Sequence, residues 1–241
     1  MYPSNIFYTK YANSYEKYSL NKEVYLTAVD EFVIKSLSSK RPPKTMIDIG
    51  SGNGKRGKRI ADILKVEKLT NVDSSKGMIK LANRILGTEV ILADISDDSL
   101  KLTGKYEVLI SLSNVLSHVP TEDNRILALV NISKLMTENS LLFIDVNNRY
   151  NILNYGFKSV IRNVFKDIFL PNKANGDFNL HLQIRDDLIN TVVHIFNPFE
   201  IEKLFKLSGL KILERKIINY KNGKENRSIF GGQLVYKLSK S

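Results

Sequence analysis

Three glycines at alternate positions, Gly50, Gly52 and Gly54, directly follow Met46-Ile47-Asp48-Ile49. Glycine accepts positive φ and lets a ligand approach the main chain closely. Behind them, Ile60, Ala61, Ile63 and Leu64, set among Lys55, Arg56, Lys58 and Arg59, read as the opening of an amphipathic helix. A helix start offers unpaired N–H groups and a positive dipole end to whatever binds there. Asp73 closes the next apolar run, and its two carboxylate oxygens match a vicinal diol such as that of a ribose. Ser74 and Ser75 follow it, so a helix cap is the alternative role. Asp94 closes a third run and could likewise cap a short turn near Asp97 and Asp98.

The spacing narrows the ligand. A dinucleotide fingerprint, G-x-G-x-x-G, would need its third glycine where Lys55 stands. A phosphate loop, G-x-x-x-x-G-K-[ST], is absent. The observed D-x-G-x-G-x-G resembles motif I of the class I S-adenosylmethionine-dependent methyltransferases. That resemblance, carried also by Asp73 and Asp94 at ordered strand ends, extends over roughly the whole chain. It implies S-adenosylmethionine as methyl donor, with S-adenosylhomocysteine as product. It implies that Asp48 supports the loop and the donor's ammonium group, and that Gly50, Ser51, Gly52 and Gly54 wrap the donor. Asp73 and Ser74 would take the ribose. Asp94 would hold the adenine amino group, with Ile95 and Met78 as apolar neighbours.

The segment Ser111-Leu112-Ser113-Asn114-Val115-Leu116-Ser117-His118-Val119 falls where the family places the loop beneath the methyl. It lacks the N-P-P-Y or D-P-P-Y of enzymes that modify DNA or protein glutamine, and is similar to the S/N-x-x-x-H-V form of small-molecule enzymes, a likeness that makes His118 the leading acid–base candidate, with support of its loop through a backbone carbonyl as the alternative. Ser111 and Ser113 are then expected at the donor, and Asn114 at the acceptor. Tyr8, Tyr11, Tyr15 and Tyr18 recur at helical spacing near the N-terminus. They read either as amphipathic packing rings or, by the resemblance, as a lid that brings Tyr11 and Tyr15 to the reactive centre. Asn147, Arg149 and Tyr150 follow an apolar run at the edge where open α/β sheets bind ligands, and are expected acceptor contacts. His181, on one face of an alternating run with Gln183 and Arg185, would reach the acceptor or solvent.

Composition sets the outer bounds. With 241 residues, 43% of them hydrophobic, the chain can bury a sizeable α/β core. The absence of cysteine excludes disulfides, thiol nucleophiles and zinc–thiolate sites. Three scattered histidines fit no metal motif, so no metal is expected. No signal-peptide pattern opens the chain and no run approaches membrane-helix length, which reads as cytoplasmic with no membrane partner. The formal charge of +11 comes from dispersed residues rather than one run, so nucleic acid is not the expected partner.

Stepping along the chain, strands are expected at 69–73, 89–93, 106–111 and 141–146 after the first at 46–49, alternating with helices. A helix is expected over 20–37 and a mixed apolar and basic helical stretch over 151–169. Strands at 178–185 and 191–196, joined by a loop at 186–190, would form an inserted hairpin. Asn197, Pro198 and Glu200 signal a capped helix ending near Gly209, before two last strands. The expected fold class is α/β: a doubly wound, mostly parallel seven-stranded sheet with an N-terminal helical cap and the inserted hairpin. The resemblance implies the strand order 3-2-1-4-5-7-6 with the last strand antiparallel. One methyltransferase domain is expected, divided into a lid (1–40), a donor-binding core (41–150), a substrate-side insertion (151–196) and a C-terminal helix and hairpin (197–241). The expected function is methyl transfer to nitrogen or oxygen of a small molecule in biosynthesis, by a monomer or homodimer. The alternatives are an RNA-modifying methyltransferase and a non-catalytic S-adenosylmethionine-binding partner.

Overall fold

The computed structural model describes residues 3–12, 23–184 and 187–241, with the side chains of 182–189 outside the description. The sheet-forming strands are β1 (Thr45–Ile49), β2 (Lys68–Asp73), β3 (Glu89–Leu92), β4 (Tyr106–Ser111) and β5 (Met136–Val146), then β8 (Leu210–Ile218), β9 (Glu225–Asn226) and β10 (Gln233–Lys240). They lie in the order β3-β2-β1-β4-β5-β10-β8-β9. β1 to β5 pair in parallel, and β10 enters antiparallel between β5 and β8. The expected order is present; the two-residue β9, too short to leave a periodic signal, makes the sheet eight-stranded.

Helices cover both faces, which is why the central strands read as nearly continuous apolar runs. On one face, Ile47, Ile49, Leu109, Leu142 and Ile144 pack against Ala128, Leu129 and Ile132 of α5 (Glu122–Lys134) and Leu204 and Phe205 of α8 (Pro198–Leu207). Their sequence neighbours Met46, Val108, Ile110 and Phe143 point the other way. There they meet Tyr25, Val29, Phe32 and Val33 of α2 (Glu23–Leu37) and Ile60, Ala61 and Leu64 of α3 (Lys55–Leu64). Phe32 meets Phe143 edge to face with centroids 5.8 Å apart.

Local chemistry sets the boundaries. Asn197 caps α8, and Glu200 reaches back to the cap N–H, completing the expected box. Gly209 follows in the left-handed conformation at φ 69°. Ser75 accepts from Met78 N–H at the start of α4 (Lys76–Ala82).

Three further elements complete the edge where β1, β4 and β5 end. They are α1 (Ser4–Tyr11), the consecutive helices α6 (Ile152–Tyr155) and α7 (Phe157–Phe169), and the separate hairpin of β6 (Asp177–Ile184) and β7 (Asp187–His194). The hairpin is tighter than expected. Ile184 pairs with Asp187, so residues assigned to a loop at 187–190 lie in β7.

Phe143 is fully buried between sheet and α2. Phe143→Ala should lower unfolding stability by about 3–5 kcal/mol through lost transfer and a residual cavity, read as a shift in the urea midpoint.

Candidate active site

The glycine turn bends as its sequence requires. Gly50, Gly52 and Gly54 have φ of 71°, 56° and 74°, where a side chain would strain the backbone. A Cβ on Gly50 would lie 2.5 Å from both γ-carbons of Val115, so this glycine is also demanded by the loop that follows β4. Gly50 and Ser51 donate to the Val72 carbonyl at 2.8 and 3.0 Å, hooking the turn onto β2.

Asp73 locks this corner. Its Oδ2 accepts from Gly52 N–H and its Oδ1 from Ser75 N–H, each at 2.8 Å. Burial pushes its carboxyl up to about 6, against the lowering effect of those two N–H groups. The cap of α4 is Ser75 rather than Asp73, and each Asp73 oxygen keeps a second lone pair for a ligand.

Asp48 lies beneath the turn, pressed against Gly57 of α3, whose missing side chain admits it. Burial pushes its carboxyl up to about 7, with Arg56 pulling the other way. Asp94 is exposed and holds Ser96 through both its N–H and its hydroxyl, at 2.9 and 2.7 Å.

The loop after β4 carries stored strain. Ser113 and Asn114 are both left-handed, at φ 72° and 63°, a conformation that costs on the order of 1–3 kcal/mol per residue. Asp145 of β5 pays for it: its Oδ1 accepts from Asn114 N–H at 2.9 Å, and Arg56 donates to Ser113 Oγ at 2.7 Å. Tyr25 donates to the other Asp145 oxygen at 3.0 Å, and Asp30 accepts from Arg56 at 2.7 Å. The loop then closes in a 3₁₀ turn, Val115–His118, which presents His118. His118 Nε2 lies 2.9 Å from the hydroxyl of Tyr8 on α1, with the rings edge to face at 5.0 Å.

These parts enclose a cleft of about 770 Å³, its open mouth included. Gly50, Gly52, Asp73, Ser74, Met78, Asp94, Ile95, Ser113 and His118 line it together with Tyr8, Ser4, Leu112 and Val115. Among the described residues, two carboxylates and no lysine or arginine belong to that lining. A pyrophosphate would find its charge opposed there, whereas a ligand bearing ammonium and sulfonium is electrostatically suited.

A methyltransferase-domain family model matches residues 21–215. This chain belongs to that family. The methyltransferase fold is equally plain in solved structures. An S-adenosylmethionine-dependent methyltransferase from Clostridium acetobutylicum superposes with a TM-score of 0.66 at 17% identity, covering 97% of this chain and 99% of that one. A DhpI complex with S-adenosylmethionine and HEP gives 0.66 at 15% identity, covering 96% and 94%. A possible histamine N-methyltransferase from Thermotoga maritima gives 0.62 at 17%, covering 98% and 99%. No curated protein sequence matches significantly. The chain is a methyltransferase-domain protein that shares the fold of these S-adenosylmethionine-dependent enzymes.

Other expected site residues lie outside the cleft lining. Tyr11 is buried beside Phe7, Ala12 and Met78, so among the described tyrosines Tyr8, one turn earlier, is the one that reaches the site. Tyr15 and Tyr18 lie outside the described residues. Ser51, Ser111 and Asn114 are buried in the supporting layer, and Gly54 packs beneath it near Ile85 and Ala82. The main-chain carbonyl of Asn147 accepts from Phe196 N–H. Arg149, expected at the acceptor, is committed to Asp167 through two bonds of 2.9 Å and to Glu200 at 2.6 Å. Tyr150 donates to Asp167 at 2.8 Å. His181 is exposed and bonds Asn190 at 2.7 Å.

An Asp73→Ala methyltransferase should lose about 1.5–3 kcal/mol of S-adenosylmethionine affinity, measured by calorimetry. Because burial raises this carboxyl to about 6, protonation sets in below that pH and removes the charged acceptor. Affinity should therefore fall with acidification, approaching about tenfold per pH unit well below 6. Asp73→Asn should flatten that limb, and a flat wild-type profile would remove the ribose role.

Proposed function

We propose that this methyltransferase transfers a methyl group to nitrogen or oxygen of a small molecule in a biosynthetic pathway. The observation that carries the reading is the roof: Tyr8 of α1 reaches across to His118, so the acceptor must enter a cleft covered on that side. Among the described residues, the lining offers a polyanionic acceptor such as RNA no lysine or arginine at the reactive centre. The Thermotoga structure, a possible histamine N-methyltransferase, supports an amine acceptor by likeness.

Bound S-adenosylmethionine supplies a methyl already activated on a sulfonium. The protein's share is alignment, water exclusion and proton handling. Ser113 and Val115, on the strained loop, shape the floor, and Leu112, Val119 and Pro120 keep it apolar. With Nε2 of His118 unprotonated, the Tyr8 hydroxyl donates to it and turns an oxygen lone pair toward the acceptor. A proton released by the acceptor then passes to the Tyr8 oxygen as the phenolic proton moves to His118. A hydroxyl acceptor needs this path, whereas an amine arriving neutral needs chiefly the alignment.

The methyltransferase should be offered a panel of small amines and alcohols with S-adenosylmethionine, and S-adenosylhomocysteine measured. Turnover restricted to macromolecular acceptors would overturn the reading. His118→Ala should lower kcat for a hydroxyl acceptor by about a hundredfold, the low end for general-base removal, with donor affinity nearly unchanged. Tyr8→Phe should follow the same direction in single-turnover rates, and unaltered rates would leave the pair as packing.

A further inference from the structure

Helix α7 is amphipathic the wrong way round for a core element. Of its 13 residues only Val160 is buried, whereas α3 hides Ile60, Ala61 and Leu64 under a polar back. Phe157, Ile161, Phe165, Ile168 and Phe169 of α7 are each more than half exposed. At helical spacing they share one broad arc. A wholly apolar groove runs along this arc from Ile152 of α6 to Phe230, which stacks on Tyr150. Contiguous exposed apolar surface of this kind marks an interaction site.

The charge beside it has one sign. Lys158, Arg162 and Lys166 recur every four residues along the border of the arc, all exposed. The helix's single carboxylate, Asp167, is turned inward. Arg149, Tyr150 and Asn197 all donate to it, and with Arg149 they hold its carboxyl below the usual range despite the upward push of burial. That cluster anchors α7 to the end of β5 and leaves its outer surface apolar and cationic.

We propose that α7 lies on an anionic lipid bilayer surface, its phenylalanines entering the acyl boundary and its cationic border meeting the headgroups. An apolar arc edged by lysine and arginine is the pattern of interfacial helices. In a dimer that pairs α7 with α7, a second copy would bring Lys158, Arg162 and Lys166 no outward carboxylate, so like charges would face each other. A nucleic acid would satisfy the cations and leave the phenylalanines in water. The expectation of no membrane partner rested on spanning length. No described helix is long and apolar enough to cross a membrane, and α7 has only to lie on one. The proposal is independent of the acceptor reading.

The test sediments the full chain with vesicles of phosphatidylcholine alone and of an equal mixture of phosphatidylcholine and phosphatidylglycerol. Binding should require the anionic lipid and weaken with added salt. Each cation contributes about fivefold at such a surface, so Lys158→Gln/Arg162→Gln/Lys166→Gln should reduce partitioning on the order of a hundredfold. Phe165→Ser/Phe169→Ser should reduce it by more than about tenfold. Both variants should keep wild-type S-adenosylmethionine affinity and thermal midpoint, because the altered side chains are exposed. Three results would overturn the proposal: wild-type protein left in the supernatant, equal binding to phosphatidylcholine, or a wild-type dimer that the phenylalanine variant converts to monomer in analytical ultracentrifugation.

Discussion

One carboxylate ties the donor half of the site together. Asp73 takes the Gly52 N–H with one oxygen and the Ser75 N–H with the other, and so fixes the glycine turn against the start of α4. The linkage continues outward. Ser75 caps α4 and its hydroxyl lies 3.0 Å from that of Thr9 on α1. Gly77 has no side chain to hold α1 away, since a Cβ there would come within 2.8 Å of the Thr9 backbone. The position of the roof therefore descends from the same acid that lines the cleft. Buried charge is costly unless hydrogen-bonded, and here the bonds that satisfy the charge also build the corner.

The acceptor half depends on a second buried acid. Asp145 receives Asn114 N–H and the Tyr25 hydroxyl, while Arg56 spans Asp30 and Ser113. Proton loss from Tyr25 is strongly opposed, first by burial and then by the Asp145 charge. Two consecutive left-handed residues persist because this network overdetermines them. It also gives α2 a role beyond packing: through Tyr25 and Asp30 it braces the loop that carries His118.

Much of this was legible in residue order. The glycine turn, Asp73, Asp94 and the β/α alternation follow from local spacing, and they converge as expected. The Asn197–Glu200 cap is equally local. What could not be read is which long-range partner each polar residue finds. Arg149 and Tyr150 stand at the right edge, yet Asp167 of α7 claims both, and nothing in the spacing of 149 and 167 announces it. Tyr8 and Tyr11 share a helical face, and only the docking of α1 on α4 decides that Tyr8 reaches His118 while Tyr11 fills the packing. Asp145 reads as the polar end of a strand. Its function depends on a strained loop whose dihedrals the sequence does not display. The exposed side of α7 was missed for a related reason: periodicity shows that a helix has an apolar stripe, not whether the fold covers it.

The meeting of Gly50 with Val115 reaches beyond one molecule. The two belong to different loops, and the space a side chain at 50 would need is filled by a branched one at 115. Neither position can drift alone over evolutionary time: bulk gained at the first must be surrendered at the second, and even then the backbone twist at 50 resists. Relatives of this chain should therefore keep glycine at 50 wherever a branched side chain fills 115.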